Sequence, residues 1–340
     1  MHPWLARIGL RPFPVPAGQT AKTRTRRRYG HGMRIAVVGA GAMGSVYAAL
    51  LGDAGNEVWA VDTWEAHVEA IREHGLRVEG ASGDRTVRID ATTRAEDVGE
   101  VDLIVVSTKA MDVRAASVAA LSLAGAETVV LPIQNGLGSA ETIAEVFGPG
   151  RVVIGVAGGF GASVVAPGHV HHEGMELVRL GERRGPSSER LERIAAVWRA
   201  AGFNVETYDD ADRLVWEKLL CNVCFSGTCG LLDRTIGEVL ADPNAWAVAS
   251  QCAAEAYDVA RALGIDLSFD EPVEYARAFG LRIPHARPSL LLDLRAGRRC
   301  EIDAINGAIP RVARSVGVAA PVNETVTALV KALEAYGRPR

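Results

Sequence analysis

The feature that most constrains this chain is a glycine-rich segment directly after a short apolar run. Residues Ile35 to Val38 are apolar and mostly β-branched, which is typical of a strand buried on both faces. The run leads into Gly39-x-Gly41-x-x-Gly44, and apolar residues at helical spacing follow as far as Gly52. This order of strand, tight turn and helix predicts the first unit of a dinucleotide-binding α/β fold.

Each glycine of the segment has a distinct expected role. Gly39 permits the turn, Gly41 lets the backbone approach a pyrophosphate, and Gly44 lets the helix pack close to the strand. The helix N-terminus presents free N–H groups and the positive end of its dipole to the phosphates. The expected cofactor contacts are Gly39, Ala40, Gly41, Ala42, Met43 and Gly44.

An acidic residue stands where a second strand, Glu57 to Val61, ends. Asp62 lies 18 residues after Gly44, and a carboxylate near there accepts hydrogen bonds from the adenosine ribose of NAD. It would repel the 2′-phosphate of NADP, and no arginine stands at positions 62–64 to receive that phosphate. The sequence therefore favours NAD over NADP. The alternative is that Asp62 only caps a helix predicted at Thr63–Glu73.

The rest of the front half alternates between strands and helices. Further strands are predicted at Leu76–Val78, Thr86–Ile89, Asp102–Ser107, Glu127–Ile133 and Arg151–Val156, and a β-hairpin within 157–182. This alternation predicts a doubly wound parallel sheet, whose ligands bind at the carboxyl ends of the strands. Lys109 and Asn135 follow two of these strands and join the glycine segment and Asp62 at that edge.

The back half carries helical periodicity from about Asp209 onward. Helices are predicted at Val215–Phe225, Ile236–Leu240, Ala245–Leu263, Glu301–Val316 and Val322–Tyr336, with Pro310 expected to kink or interrupt the fourth. The predicted fold class is α/β: an N-terminal Rossmann-type domain at 33–207, then an all-α domain at 208–336. The substrate cleft is expected between them.

Composition narrows the class of protein. Residues 1–32 contain seven Lys or Arg and no acidic residue, and we expect a disordered basic extension there. The net charge of −4 gives no reason to expect a nucleic-acid partner, and no apolar run approaches the length of a membrane span. Five cysteines, an odd number, suggest reduced thiols and a cytoplasmic protein. A homodimer is possible, because the sequence does not determine the oligomeric state.

A polar stripe crosses an otherwise apolar predicted helix. Lys218, Asn222 and Ser226 are spaced four apart and so share one helix face. A lysine among apolar residues is costly unless it is paired or functional, and an ammonium can hydrogen-bond a carbonyl oxygen and then give it a proton. Lys218 is therefore the expected general acid. The alternative is a surface helix that happens to show its polar side.

Two other patterns indicate structure rather than chemistry. Cys221 and Cys224 form a C-x-x-C within the apolar helix with no second pair, which favours core thiols. The three histidines of the predicted hairpin lack a matching carboxylate or cysteine cluster, so they are interpreted as exposed side chains and no metal is expected. They are His169, His171 and His172.

A series of motifs in this order resembles the ketopantoate reductase (2-dehydropantoate 2-reductase) family. Besides the glycine segment, they are Thr108-Lys109-Ala110, Gln134-Asn135-Gly136-x-Gly138, Gly161-Ala162…Pro167-Gly168, Trp216-x-Lys218-Leu219…Asn222, Ser289…Asp293 and Glu301-Ile302-Asp303-x-x-Asn306-Gly307. The resemblance covers 33–335, and it implies hydride transfer from a nicotinamide cofactor to a small 2-oxo acid.

The resemblance also implies roles for individual residues. Lys218 would polarise the carbonyl and protonate it, while Glu301 would bind a substrate hydroxyl or help hold the nicotinamide ribose and Lys218. Asn135 would lie between nicotinamide and substrate. The remaining contacts would be Asn222, Ser226 and Ser289 to substrate, and Lys109 and Ala162 to cofactor.

The chain departs from the family pattern at three places. Thr63 stands where family members usually carry an arginine for NADPH, and Ser226–Cys229 and Ile236–Glu238 replace asparagine-containing segments of the substrate pocket. These departures leave a second enzyme open, an NAD-dependent D-2-hydroxyacid dehydrogenase. A non-catalytic nucleotide sensor is a third alternative, although it would not need a proton donor over the nicotinamide.

Overall fold

A computed structural model describes residues 32–159, 161–174, 177–183 and 185–336 of the chain. The predicted basic extension, 1–32, lies outside the described residues except for Gly32. The predicted first unit is confirmed: Arg34–Val38 forms strand β1, Ala42–Asp53 helix α1 and Glu57–Val61 strand β2. The strands β1 and β2 pair in parallel.

A five-stranded parallel sheet forms the centre of the front half. Its other strands are β5 (Asp90–Thr92), β6 (Val101–Val106) and β7 (Ala124–Pro132), in the order β5-β2-β1-β6-β7. Alternate residues of β1 enter different cores, Ile35 on one face of the sheet and Ala36 on the other. Burial on both faces explains why these strands are continuous apolar runs. Helices α2 to α4 are Glu65–His74, Val113–Ala119 and Ser139–Phe147.

The short predicted strands after α2 belong to a second sheet. They are β3 (Leu76–Gly80) and β4 (Arg85–Val87). The predicted hairpin is confirmed: β9 (Gly161–Ala166) and β10 (His169–Gly174) pair antiparallel, and β10 also pairs with β3. The sheet has the order β4-β3-β10-β9, and its strands contact α1.

The strand predicted at Arg151–Val156 does not continue the central sheet. It is β8 (Val153–Gly158), and among the described residues a single parallel bridge, between Val130 of β7 and Val152 just before β8, connects the two strands. Six residue pairs join it antiparallel to β11 (Leu177–Glu182), and β12 (Val205–Tyr208) completes a three-stranded sheet. An apolar run in the sequence does not specify which strand it will pair with. Here the main partner of β8 is β11, which comes later in the chain.

The back half is helical, as predicted, and no described residue after Tyr208 lies in a strand. Helices α5 to α12 are Glu189–Ala200, Ala211–Leu232, Ile236–Ala241, Pro243–Ala262, Pro272–Arg282, Ser289–Arg295, Ala308–Val316 and Pro321–Tyr336. Most residues of α6 are buried, and α8, α10 and α12 pack around it. This burial contradicts the alternative of a surface helix at 215–225.

The helix predicted at Glu301–Val316 is wrong in its first half. Residues 301–307 form successive turns, and α11 begins only at Ala308. The Asn306 side chain donates to the carbonyl of Val223 at 2.8 Å and to Asn323 Oδ1 at 3.0 Å, bonds that hold the turn against α6 and α12. Pro310 lies in the first turn of α11, where its missing N–H is not needed, so the proline does not interrupt this helix.

The structure contradicts the prediction for one of the hairpin histidines and confirms the prediction for the cysteines. The interpretation of the hairpin histidines as exposed is wrong for His172, which is fully buried because alternate residues of β10 face the core. All five cysteines are buried and free, which confirms core thiols. Among the described residues no group of three or more potential ligands could hold a metal, and no helix is long and apolar enough to cross a membrane.

Candidate active site

The glycine segment forms a turn with no room for side chains on its inner side. Gly39 has φ +93°, and a Cβ at Gly44 would lie 2.0 Å from the Gly39 carbonyl oxygen. A Cβ at Gly41 would instead meet nothing within 4 Å. The first turn of α1 carries no acidic side chain, and its N–H groups have no intrahelical acceptor. The open side of Gly41 and these N–H groups fit a dinucleotide pyrophosphate.

Asp62 follows β2 at the same sheet edge and is partly buried. Its Oδ1 accepts a hydrogen bond of 2.9 Å from the Trp64 N–H. The residue at the N-cap of α2 is Trp64, so Asp62 orders the chain just before the helix. A ribose contact and a structural role are both compatible with this position.

Lys218 lies on α6 and points at the front half of the chain. Its Nζ donates a hydrogen bond of 2.5 Å to the carbonyl oxygen of Ala157 in β8. Burial lowers the pKa of Lys218 to about 8, an effect that the Glu301 carboxylate opposes and Arg179 reinforces. The ammonium form therefore predominates at pH 7 but releases its proton more readily than an exposed lysine, which suits a general acid.

Glu301 lies in the turn before α11 and joins the two halves of the chain. Its Oε1 accepts a hydrogen bond of 2.9 Å from the Ala110 N–H, just after β6. Burial raises the pKa of Glu301, although Lys109, the Ala110 N–H and Lys218 act in the opposite direction. The carboxylate is thus held between a backbone donor and two lysines.

A second carboxylate beside Glu301 was not among the predicted site residues. Asp293 on α10 is buried, and its Oδ2 lies 2.5 Å from Lys109 Nζ, while Oδ1 lies 3.0 Å from Arg298. Lys109 Nζ is also 3.9 Å from Glu301 Oε2. Lys109, the predicted cofactor contact, therefore bridges to the helical half. The sequence signal was the place of Asp293 in the Ser289…Asp293 motif.

The loop after β7 is locked to the same turn. The Leu137 N–H donates to the Ala304 carbonyl oxygen at 2.9 Å, and a Cβ on Gly136 would lie 2.2 Å from that oxygen. Gln134 Nε2 donates to the Val106 carbonyl at 2.7 Å. These contacts fix Asn135 at the strand edge, between β6 and the helical domain.

A cleft of about 810 Å³ lies between the strand ends and the helices. Of the predicted residues, Lys218, Asn222 and Glu301 line it, and so do Gln134 and Gly136 on either side of Asn135. Ser226 and Ser289, two of the predicted substrate contacts, do not line this cleft. Ser226 is buried within α6, and Ser289 is exposed at the start of α10.

Comparison with known proteins identifies this arrangement. The family described as "Ketopantoate reductase PanE/ApbA" matches residues 35–185, and its C-terminal counterpart, "Ketopantoate reductase PanE/ApbA C terminal", matches residues 210–334. The chain belongs to the ketopantoate reductase family. This assignment supports a nicotinamide cofactor and an oxidoreductase that acts on a small 2-oxo acid.

Two individual relatives agree with the assignment, and a third similar structure carries the name of another enzyme. The chain is 31% identical over 304 residues to the 2-dehydropantoate 2-reductase of Streptococcus pyogenes, covering 89% of this chain and 98% of the relative. It is similar to the structure of the 2-dehydropantoate 2-reductase of Geobacter metallireducens, with 33% identity, a TM-score of 0.83 and coverage of 88% and 99%. A structure of D-mandelate dehydrogenase with NADH and anilino(oxo)acetate is also similar, with 30% identity, a TM-score of 0.80 and coverage of 89% and 98%.

Proposed function

We propose that this protein reduces 2-dehydropantoate (ketopantoate) to pantoate, with NADH as the preferred electron donor. The observation that carries the proposal is the position of Lys218. Its ammonium reaches from the helical domain to the carbonyl of Ala157, in the cleft that Glu301 also lines. A proton donor is thereby set opposite the sheet edge where a dinucleotide would bind.

Lys218 has two tasks in this reaction. The nicotinamide, when bound, supplies a hydride to the carbonyl carbon of the 2-oxo acid. Lys218 hydrogen-bonds the carbonyl oxygen, stabilises the negative charge that grows there, and transfers a proton from Nζ to complete the hydroxyl. With its pKa lowered to about 8, this proton transfer is easier than from an unperturbed lysine.

Glu301 keeps the donor in its charged form. Its carboxylate raises the pKa of Lys218 against the effect of burial. The bond from the Ala110 N–H fixes the carboxylate, so its distance to the lysine is set by both halves of the chain. Glu301 is also placed to accept a hydrogen bond from a substrate hydroxyl.

The other polar residues bind and orient. We assign Asn135 and Asn222 to the polar groups of the substrate, since Asn222 lines the cleft one helical turn beyond Lys218. The family pattern alone assigns Ser289, which does not line the cleft, to the substrate carboxylate, and it assigns Ala162 and Lys109 to the cofactor. Asn135 would sit between the nicotinamide and the substrate.

The preference for NADH rests on Asp62. A carboxylate at the end of β2 accepts a hydrogen bond from the ribose 2′-hydroxyl and repels a 2′-phosphate. Thr63 cannot replace the arginine that usually binds this phosphate in the family.

A second candidate is an NAD-dependent D-2-hydroxyacid dehydrogenase with a bulkier substrate. The similarity to D-mandelate dehydrogenase with NADH favours it, together with Asp62. The cleft also has a largely apolar wall, formed in part by Leu137, Val215 and Trp216, which could accept a larger side chain.

A substrate panel tests both candidates. Purified protein is assayed with NADH and NADPH against ketopantoate, 2-oxoisovalerate and benzoylformate. The highest kcat/KM with ketopantoate supports the proposal, and the highest with benzoylformate replaces it by the second candidate. Tight cofactor binding without turnover of any 2-oxo acid would overturn both and support a nucleotide sensor.

A further inference from the structure

A large aromatic side chain stands exposed beside the proposed ribose site. Trp64 is 41% exposed, two residues after Asp62. Its backbone N–H donates a hydrogen bond of 2.9 Å to the Asp62 carboxylate. This bond fixes the backbone from which the indole extends, next to that carboxylate.

The indole is held flat by a second ring. Trp64 stacks on His67 with ring centroids 5.0 Å apart and an interplanar angle of 15°. His67 is fully buried. One face of the indole is therefore occupied by a buried imidazole, and its other face is available to a planar ligand.

Two hydrogen bonds fix His67, and a third fixes its partner Ser45. Its Nδ1 accepts from the Gly168 N–H at 3.0 Å, so the ring proton is on Nε2, which donates to Ser45 Oγ at 3.1 Å. Ser45 Oγ in turn donates to the Ala40 carbonyl at 2.8 Å. Burial lowers the pKa of His67, which keeps the imidazole neutral and preserves this pattern.

This chain of bonds connects the indole to the segments that would hold the cofactor. Ala40 lies within the glycine turn, and Gly168 lies in the hairpin turn after the strand that carries Ala162. The orientation of Trp64 is thus tied through His67 to the pyrophosphate loop.

We propose that Trp64 is the stacking platform for the adenine ring of the cofactor, and that His67 is the positioning residue that holds it. The inference rests on the proposed function in that it takes the ligand to be a nicotinamide dinucleotide. Stacking of a base on an aromatic side chain is sequence-tolerant and strong, and its loss weakens binding by about tenfold to hundredfold.

Calorimetric titration of the full chain with NADH and with AMP tests the platform. Trp64→Ala is expected to raise the Kd of both ligands by about tenfold or more. Trp64→Phe, which keeps an aromatic face, is expected to restore most of the affinity. Leu121→Ala, which removes an exposed apolar side chain 47% accessible elsewhere on the domain, is the matched control.

A second variant tests the support. His67→Ala is expected to weaken NADH and AMP in the same way as Trp64→Ala, and the double variant to add little to either single change. Thermal unfolding shows whether the His67→Ala variant is folded. If that variant is unfolded, the binding data for Trp64→Ala alone test the proposal.

The outcomes separate this proposal from the proposed function. If Trp64→Ala binds NADH and AMP as tightly as the unmodified protein, which still reduces 2-oxo acids, the platform is wrong and the function stands. If the unmodified protein binds neither NADH nor NADPH, the proposed function is wrong and the platform falls with it.

Discussion

Lys218 Nζ lies 2.5 Å from the carbonyl oxygen of Ala157, so a lysine of the helical domain is hydrogen-bonded to a strand of the front half. This bond gives the ammonium one acceptor and a fixed direction. Lys218 also lines the cleft, and burial lowers its pKa to about 8. The site is therefore completed only when both halves of the chain are in place.

Replacement of this lysine should abolish turnover and spare cofactor binding. Lys218→Met keeps the apolar stem and removes the proton donor, and we expect kcat for 2-oxo acid reduction to fall by about 10²- to 10⁴-fold. The Kd of NADH, measured by fluorescence titration, should change little. Lys331→Met, which alters an exposed lysine on α12, serves as the control. Full activity of Lys218→Met would remove this residue from the mechanism.

The lowered pKa of Lys218 predicts a pH profile. Reduction needs the protonated lysine, so kcat/KM should be level below pH 8 and fall about tenfold per pH unit above the pKa of about 8. Oxidation of the 2-hydroxy acid needs the neutral amine and should rise over the same range. Steady-state assays in both directions would check this, and a reductive profile that stays level to pH 10 would contradict it.

Glu301 should set the midpoint of that profile. Its carboxylate raises the pKa of Lys218, so Glu301→Gln removes this effect and should move the fall in reductive kcat/KM to lower pH. The same assay series measures the midpoint. An unchanged midpoint, or one moved to higher pH, would show that the two groups do not interact as described.

The sequence predicts the glycine turn and the central sheet because their determinants are local. The strand β1 is buried on both faces by its own apolar residues, and Gly39 needs a positive φ in any fold with this turn. The partner of β8 was not predictable in this way. Its neighbour β11 lies about 20 residues later in the sequence, and the residues of an apolar run do not determine which strand it pairs with.

The candidate site shows the same limit. Helical spacing was enough to place Lys218 and Asn222 on one face of α6, and both line the cleft. The prediction of a helix starting at Glu301 is wrong because the Asn306 side chain hydrogen-bonds α6 and α12. These partners are distant in the sequence, so hydrophobic periodicity cannot predict the bonds. The pair between Lys109 and Asp293 spans 184 positions, and no local pattern could predict it.

The second and third glycines of the turn, Gly41 and Gly44, should respond differently to alanine. At Gly41 a Cβ meets nothing within 4 Å and φ is −65°, so Gly41→Ala should fold normally, within about 0.5 kcal/mol of the unmodified protein. It should nevertheless weaken NADH binding, since the methyl group occupies the pyrophosphate's approach. Gly44→Ala places its Cβ 2.0 Å from the Gly39 carbonyl and should destabilise the protein itself. Thermal unfolding and NADH titration separate the two effects, and normal NADH binding by Gly41→Ala would contradict the assigned contact.

Loss of the Lys109 ammonium should destabilise the contact between the two halves of the chain. Lys109→Met leaves the buried Asp293 with Arg298 alone and removes the cation nearest to Glu301. Since the Lys109 side chain is itself 41% exposed, we expect a loss of about 1–2 kcal/mol in the free energy of unfolding, the lower part of the range for an unpaired buried group.

This loss should depend on pH in a definite direction. Burial already raises the pKa of Glu301 and Lys109 lowers it, so removal of Lys109 raises it further and makes the ionised carboxylate costlier in the folded state. The destabilisation should therefore be larger at pH 8 than at pH 5. Urea unfolding at the two pH values measures it, and Lys331→Met, whose partner Asp303 is 49% exposed, should change stability by less than about 0.5 kcal/mol at either. A loss for Lys109→Met that is equal at both pH values, or larger at pH 5, would show that the ammonium does not stabilise these carboxylates.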